Sequence, residues 1–459
     1  MSSHLIKNAK IVSDGKISSG DILIKDGLIE RIEPIIHNSG NIDETNAEGK
    51  YVIPGIIDDQ VHFREPGLTH KASIYSESKA AIAGGVTSFM EMPNTHPQTL
   101  TQALLEEKYL IGQNKSLANF SFYMGASNTN LDEVLKTDPN NVCGIKIFMG
   151  SSTGDMLVDD ESTLENIFAN APCLISTHCE SEEIIKQNLE IARKKYGDNI
   201  PASAHPIIRD ANACFDSSCY AVALAKKHNT RLNVFHISTA DEIALFAPQT
   251  GVNQNATTEE VLTALATKRI TSEICVHHLY FDANDYEVYG NLIKCNPAIK
   301  APHHKAALFD ALLKNQLDLI ATDHAPHTWE EKQNDYLKAP SGIPLVQHTL
   351  NIMLGFYHQQ KISLEKIVEK MCHAPAVAFN ISNRGFIKEG YFADLVIVDI
   401  DKDFQITKQN VLYKCGWSPF IGQTLKGEIS HTFVNGHLAF QNGVFDECQN
   451  GMRLTFNRF

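Results

Sequence analysis

Residues 51–67, "YVIPGIIDDQVHFREPG", begin as an apolar run of strand length and end in a cluster of polar groups, Gln60, His62 and Arg64. An apolar run without alternation is what a strand buried on both faces leaves in a sequence, as in a parallel sheet covered by helices. The same pattern returns seven more times, in "VTSFMEMPN", "FSFYMGAS", "VCGIKIFMG", "CLISTHCE", "LNVFHIS", "SEICVHHLYF" and "LDLIATDHAPH". Between these runs lie segments of helical period: "SIYSESKAAIAGG", "SEEIIKQNLEIARKKYG", "ACFDSSCYAVALAKKH", "TTEEVLTALATKR" and "HKAALFDALLKNQ". Eight such units predict an α/β fold closed into a (β/α)8 TIM barrel.

The flanks read differently. "HLIKNAKIVSDGK" and "GDILIKDGLIERIEP" at the start, and "GYFADLVIVDID" and "SHTFVNGHLAFQNG" near the end, are short strands separated by Gly and Asn/Asp turns, with Asn435-Gly436 read as a hairpin turn. We expect a small β-sandwich domain built from both chain termini, residues 1–52 and 385–459, around a barrel at 53–384. A chain of 459 residues accommodates one large domain of roughly 250 to 400 residues and a smaller one. With 43% hydrophobic and 20% charged residues, and no run of membrane-spanning length, it reads as soluble, with no membrane partner. The N-terminus shows no signal-peptide core, and the ten cysteines are scattered without paired spacing, which suits a reducing, cytoplasmic setting. The net charge of −14 carries no basic block and argues against nucleic acid as a partner.

In a barrel of this kind, chemistry gathers at the C-terminal ends of the strands. His62, Asn94, Lys146, His178, His236 and Asp323 each lie at or just beyond the end of a different apolar run. Any one of these histidines is readily explained as a hydrogen-bonded structural residue; His178 and His236 together with Asp323 instead supply ligand types that suit a catalytic zinc site with an open position for water. Lys146, amid Ile145, Ile147 and Phe148, is costly on a buried strand unless something pairs with it or changes it. A carbamate formed with CO2 would make it an anionic, bridging oxygen ligand; the alternative is a buried stem whose ammonium reaches the rim.

The ordered set "DDQVHFREPG", "MEMPNT", "GIKIF", "STHCE", "FHIST", "KCNPAIK" and "ATDHAPHTWEEK", with "GYFADLVIVD" returning to the small domain, resembles dihydroorotase of the amidohydrolase superfamily over nearly the whole chain. The resemblance implies a buried metal position held by His178, His236 and carboxylated Lys146, and a more exposed one held by the Gln60 position, His62, Asp323 and the same lysine bridge. Where the family pattern has His-x-His, this chain has Gln60-Val61-His62. An amide oxygen is a poorer zinc ligand than imidazole, so Gln60 marks a weakened metal position, and one or two Zn2+ per chain are expected. Asp323 is the expected general base and then acid.

Substrate identity must come from other positions. Arg64 offers a planar fork suited to a carboxylate, Asn94 an amide donor and His327 a third contact; by resemblance Asn296 and the Ser341-Gly342 loop add more. The implied function is zinc-dependent, reversible hydrolysis of dihydroorotate to N-carbamoyl-aspartate in pyrimidine biosynthesis. Two other readings stay open: a related cyclic amidohydrolase, allantoinase or hydantoinase, in which Arg64 is idle, and a catalytically silent partner of aspartate carbamoyltransferase, for which Gln60 would be a relic. A homodimer is implied by the resemblance alone. His70, His96, His205, His277, His278, His303, His304 and His348 are read as structural or solvated, with a loop role left open for His205.

Overall fold

The computed structural model describes residues 3–38, 40, 42–150, 156–246 and 252–458. The chain opens with β1 (Ser3–Ser13), β2 (Lys16–Lys25), β3 (Leu28–Glu33), β4 (Asp43–Asn46) and β5 (Tyr51–Pro54). The barrel strands follow: β6 (Ile56–Val61), β7 (Val86–Glu91), β8 (Asn119–Phe122) with its continuation β9 (Met124–Gly125), β10 (Ile145–Phe148), β11 (Ile175–His178), β12 (Leu232–Val234), β13 (Ile270–Cys275) and β14 (Leu319–Ala321). The chain then returns through β15 (Leu395–Gln405), β16 (Thr424–Val434), β17 (His437–Gln441) and β18 (Val444–Phe445).

Neighbouring barrel strands pair in parallel and in sequence order, from β6 to β8 and from β9 to β14. The ring closes where Val61 at the end of β6 bridges His324 just past β14, and the His62 amide donates to the His324 carbonyl at 2.7 Å. Every residue of β6, β7, β8, β10 and β11 is buried. That burial on both faces is why these strands read as unbroken apolar runs.

The five helices read from sequence lie at Ile74–Ala83, Glu182–Tyr196, Ala211–His228, Thr258–Thr267 and Pro302–Leu313. Their ends are set locally: Ser73 and Ser76 form a reciprocal capping box, Thr257 and Glu260 another, and Asn229 closes Ala211–His228 in the left-handed conformation.

The terminal strands form one nine-stranded sheet, ordered β18-β17-β16-β15-β5-β1-β2-β3 with β4 beside β1, around a core that includes Ile6, Ile22, Ile24, Val52, Leu395 and Phe433. This is the α/β barrel with a β domain from both termini that the sequence pattern implies. One run divides unexpectedly: "YVIPGIID" is two strands separated at Gly55, β5 lying antiparallel to β15 in the terminal sheet and β6 parallel to β7 in the barrel. Beyond β18 the chain crosses to the barrel floor, where the Leu454 amide donates to Phe120 O at 2.9 Å and the Arg458 guanidinium to Cys143 O at 2.7 Å. No helix among the described residues is long and apolar enough to cross a membrane.

Candidate metal centre and active site

Strands β11 and β12 are adjacent, so the residues at their ends meet. Nδ1 of His178 and Nε2 of His236 stand 3.0 Å apart. The Glu180 carboxylate lies 3.0 Å from His178 Nε2 and is itself paired with Arg209. A carboxylate only accepts, so Nε2 of His178 carries the proton and its Nδ1 presents a lone pair toward His236. Burial pushes Glu180 up, but Arg209 and His178 outweigh that effect and hold it at about 2, so it stays an anion. Burial lowers both His178 and His236 below the usual imidazole range, so both rings are neutral, as ligands must be.

Lys146 on β10 is 1% exposed and its Nζ has no hydrogen-bond partner among the described residues. It lies over the faces of Phe235 and Phe148, 4.3 and 4.6 Å from the ring centroids. Burial pulls its amine down to about 7, against the attraction of Asp323, and its charge is felt by His62, His178 and His236. The four groups therefore converge.

The β6 side of the rim is built differently. His62 Nδ1 meets Asn94 Oδ1 at 2.9 Å, and His62 Nε2 faces Asp323 Oδ1 at 3.2 Å. If Nδ1 donates to Asn94, the Nε2 lone pair confronts a carboxylate oxygen, and burial disfavours the protonated ring that would relieve the conflict. Two acceptor atoms held this way suit a cation between them. Gln60, by contrast, turns its Nε2 toward Asp323 Oδ1 at 3.2 Å, while its Oε1 faces the Cys275 thiol at 3.8 Å. The opposite amide orientation would set Oε1 against the carboxylate, so the position that would carry a ligand carries a hydrogen-bond donor. Two facing pairs of ligand atoms and an orphaned amine fit a metal centre with a carboxylated lysine, fully furnished on the His178 side and thinner on the Gln60 side.

Arg64, His236 and Asp323 have φ of 68°, 39° and 47°. Left-handed backbone at non-glycine residues costs on the order of 1–3 kcal/mol and needs surroundings that hold it. For Asp323 the flanking residues do so: Thr322 Oγ1 donates to Asp58 at 2.6 Å, and His324 bridges Glu77 at 2.9 Å to the Leu345 amide at 2.9 Å. The Arg64 Nε donates to Pro326 O at 3.1 Å, and its Nη2 lies 3.0 Å from His327 Nε2. His327 also contacts Lys71 at Nδ1 and Ser341 O at Nε2, both at 3.0 Å. Gly342 has φ of 149°, and a Cβ there would sit 2.3 Å from Ala325 O, so this loop is pressed onto the β14 exit. Asn296 lies in the loop after Cys295, preceding Pro297.

Contacts and fields thus bring together Gln60, His62, Arg64, Asn94, Lys146, His178, His236, Asp323, His327 and Ser341, while Asn296 is placed only by its position in the loop after Cys295. Sequence reasoning passed over the groups that hold them: Glu180 with Arg209 behind His178, Glu77 behind His324, and Lys71 with Glu331, 2.9 Å apart, beside His327. Only Glu180 had a local signal, two residues beyond His178 in "STHCE". Among the other histidines, His205 is buried between the Tyr336 hydroxyl and Cys295 O, 2.8 Å from each.

A closed barrel with imidazoles, a lysine and a carboxylate on its C-terminal rim defines a barrel enzyme whose chemistry sits where the strands end. Residues 51–439 match the amidohydrolase family, and the chain belongs to it. The chain is 31% identical to a dihydroorotase from Methanosphaera stadtmanae over 96% of its own length and 97% of the relative's. It is 28% identical to an allantoinase from Desulfitobacterium hafniense, covering 96% and 95%. Its structure is similar to that of L-hydantoinase (dihydropyrimidinase) from Arthrobacter aurescens, with a TM-score of 0.90, 27% identity and coverage of 99% and 100%.

Proposed function

We propose that the protein is a dihydroorotase, interconverting (S)-dihydroorotate and N-carbamoyl-L-aspartate by reversible hydrolysis of the ring amide, in the cytoplasm, as a step of de novo pyrimidine biosynthesis. The observation that carries this choice is the Arg64 guanidinium. It is 7% exposed, lies in the field of the Asp323, Glu91 and Glu331 carboxylates without bonding to any of them, and its side-chain contacts are a carbonyl and an imidazole. A buried guanidinium without a bonded carboxylate is an incomplete ion pair, and a ring carboxylate on the substrate completes it. Hydantoins and dihydropyrimidines need not carry that group. Steady-state turnover of dihydroorotate against allantoin and hydantoin tests the assignment; preference for either neutral ring defeats it.

His178, His236 and the carbamate of Lys146 would hold one zinc, and His62, Asp323 and the same carbamate a second. A metal held by these residues would acidify water to about pKa 7 and polarise the amide carbonyl. The rest is done by the chain. Lys146, near neutrality because it is buried, attacks CO2 through its free base; the N–C bond forms and the amine proton leaves to solvent. Asp323 takes a proton from the attacking water and returns it to the departing ring nitrogen. Gln60 Nε2 holds the Oδ1 of Asp323 in place, and Arg64 orients the ring by its carboxylate.

The allantoinase and hydantoinase relatives support a second reading within the same chemistry, in which Arg64 has no substrate partner. The silent reading, an assembly partner of aspartate carbamoyltransferase, is opposed by the retention of His62, Lys146, His178, His236 and Asp323 on one rim. Absence of turnover after loading with zinc and bicarbonate would restore it. Sedimentation of the purified protein tests the homodimer.

A further inference from the structure

Behind His236, on the exits of β13 and of the following loop, three more ligand-type side chains meet. His277 and His278 lie in the short helix Val276–Tyr280 that follows β13, and Cys295 precedes Asn296; their exposures are 1%, 3% and 1%. One ligand atom from each lies within 4.8 Å of those of the other two. Both ring nitrogens of His277 and Nδ1 of His278 lack a hydrogen-bond partner among the described residues, although the Thr322 backbone comes close enough to His277 to oppose part of the effect of burial. The remaining His278 nitrogen, Nε2, and the Cys295 thiol both converge on one carbonyl, Pro297 O, at 3.2 and 3.3 Å. The two rings are held 4.1 Å apart by centroid. An imidazole nitrogen left unpaired in a closed interior forgoes about 1–3 kcal/mol of polar interaction, a cost that a ligand can recover.

We propose that His277, His278 and Cys295 form a further cation site, separate from the catalytic ligands, which takes a borderline divalent ion such as Zn2+ or Co2+ through two imidazole nitrogens and a thiolate. Mixed nitrogen and sulfur donors select this class over calcium or magnesium. On binding, the Cys295 thiol gives its proton to solvent and the sulfur–metal bond forms, while Asp323, whose field reaches His277, contributes further negative charge nearby. The site ties the end of β13 to the loop bearing Asn296, so its ion positions a substrate contact and takes no part in the chemistry itself. It does not depend on which cyclic amide the enzyme hydrolyses.

Sulfur provides the test, because none of the proposed catalytic ligands is a thiolate. The full chain, stripped of metal and reconstituted with Co2+ and bicarbonate, should show a near-ultraviolet thiolate-to-cobalt charge-transfer band. Cys295→Ser should abolish the band and lower bound cobalt by about one ion per chain, consistent with a single three-residue site. Cys275→Ser, beside Gln60, should leave both unchanged. His278→Asn should weaken the band without touching the thiol, which covers the case in which Cys295→Ser does not fold. Absence of the band in the unsubstituted protein overturns the site outright. A band that survives Cys295→Ser, or that is lost with Cys275→Ser instead, also overturns it by assigning the sulfur elsewhere.

Discussion

The His178 side and the Gln60 side of the rim hold the same kinds of group in different states. On the first, two imidazole nitrogens face each other at 3.0 Å and a buried carboxylate, anchored by Arg209, fixes one ring. On the second, His62 and Asp323 face each other at 3.2 Å, but the neighbour that would complete the ligand set is an amide nitrogen directed at the carboxylate. On the proposed reading, Gln60 gives a positioning contact to Asp323 where an imidazole would give a ligand. Affinity for metal should therefore be concentrated on the His178 side, while proton transfer stays with Asp323 on the other.

The most drastic way to break this contrast is Lys146→Ala, which removes the bridge that the proposed centre shares between both sides; turnover should fall to background, and elemental analysis should show the rim ions lost while the ion proposed at His277, His278 and Cys295 stays. Asp323→Asn should lower turnover by about 10²–10⁴-fold, the usual contribution of a placed acid–base group. The ion held by His178 and His236 should stay bound in that variant, and unchanged turnover would remove Asp323 from the proton path. Arg64→Ala should reduce kcat/KM for dihydroorotate by about 10- to 100-fold, mostly through KM, because charge-assisted hydrogen bonds are worth roughly 1.5–3 kcal/mol. Glu180→Gln should weaken the better-held ion by about 10- to 100-fold in chelator competition, as loss of an outer partner does for a ligating histidine. The smallest effect is expected of Gln60→His: metal content should rise, and if activity does not follow, the second ion is dispensable.

Much of this was legible in the chain because parallel barrel strands are buried on both faces and advertise themselves as apolar runs, and because the residues just beyond those runs are the ones a barrel directs to its rim. His62, His236 and Asp323 follow from that rule and His178 ends its strand, whereas Lys146 lies inside β10 and stood out as a charge among apolar neighbours. The division of "YVIPGIID" did not, since a run that is apolar throughout gives no sign of changing its partner from β15 to a barrel strand at Gly55. Nor did the supports: Arg209 reaches Glu180 across 29 positions and Lys71 reaches His327 across 256, and no local periodicity encodes such meetings. The orientation of the Gln60 amide was also beyond the sequence, being decided by Asp323 and Cys275 from distant strands.

The aromatic walls around Lys146 have a thermodynamic corollary. Ring faces carry negative quadrupole charge, which favours an ammonium lying over Phe148 and Phe235 and disfavours an anion in the same slot. On the proposed reading, carbamylation would then be uphill until a cation arrived, and the cation would be poorly held until the carbamate existed. Each event raises the affinity for the other by the same factor. Zinc uptake should accordingly steepen with dissolved carbon dioxide, and protein stripped of either component should lose its grip on both.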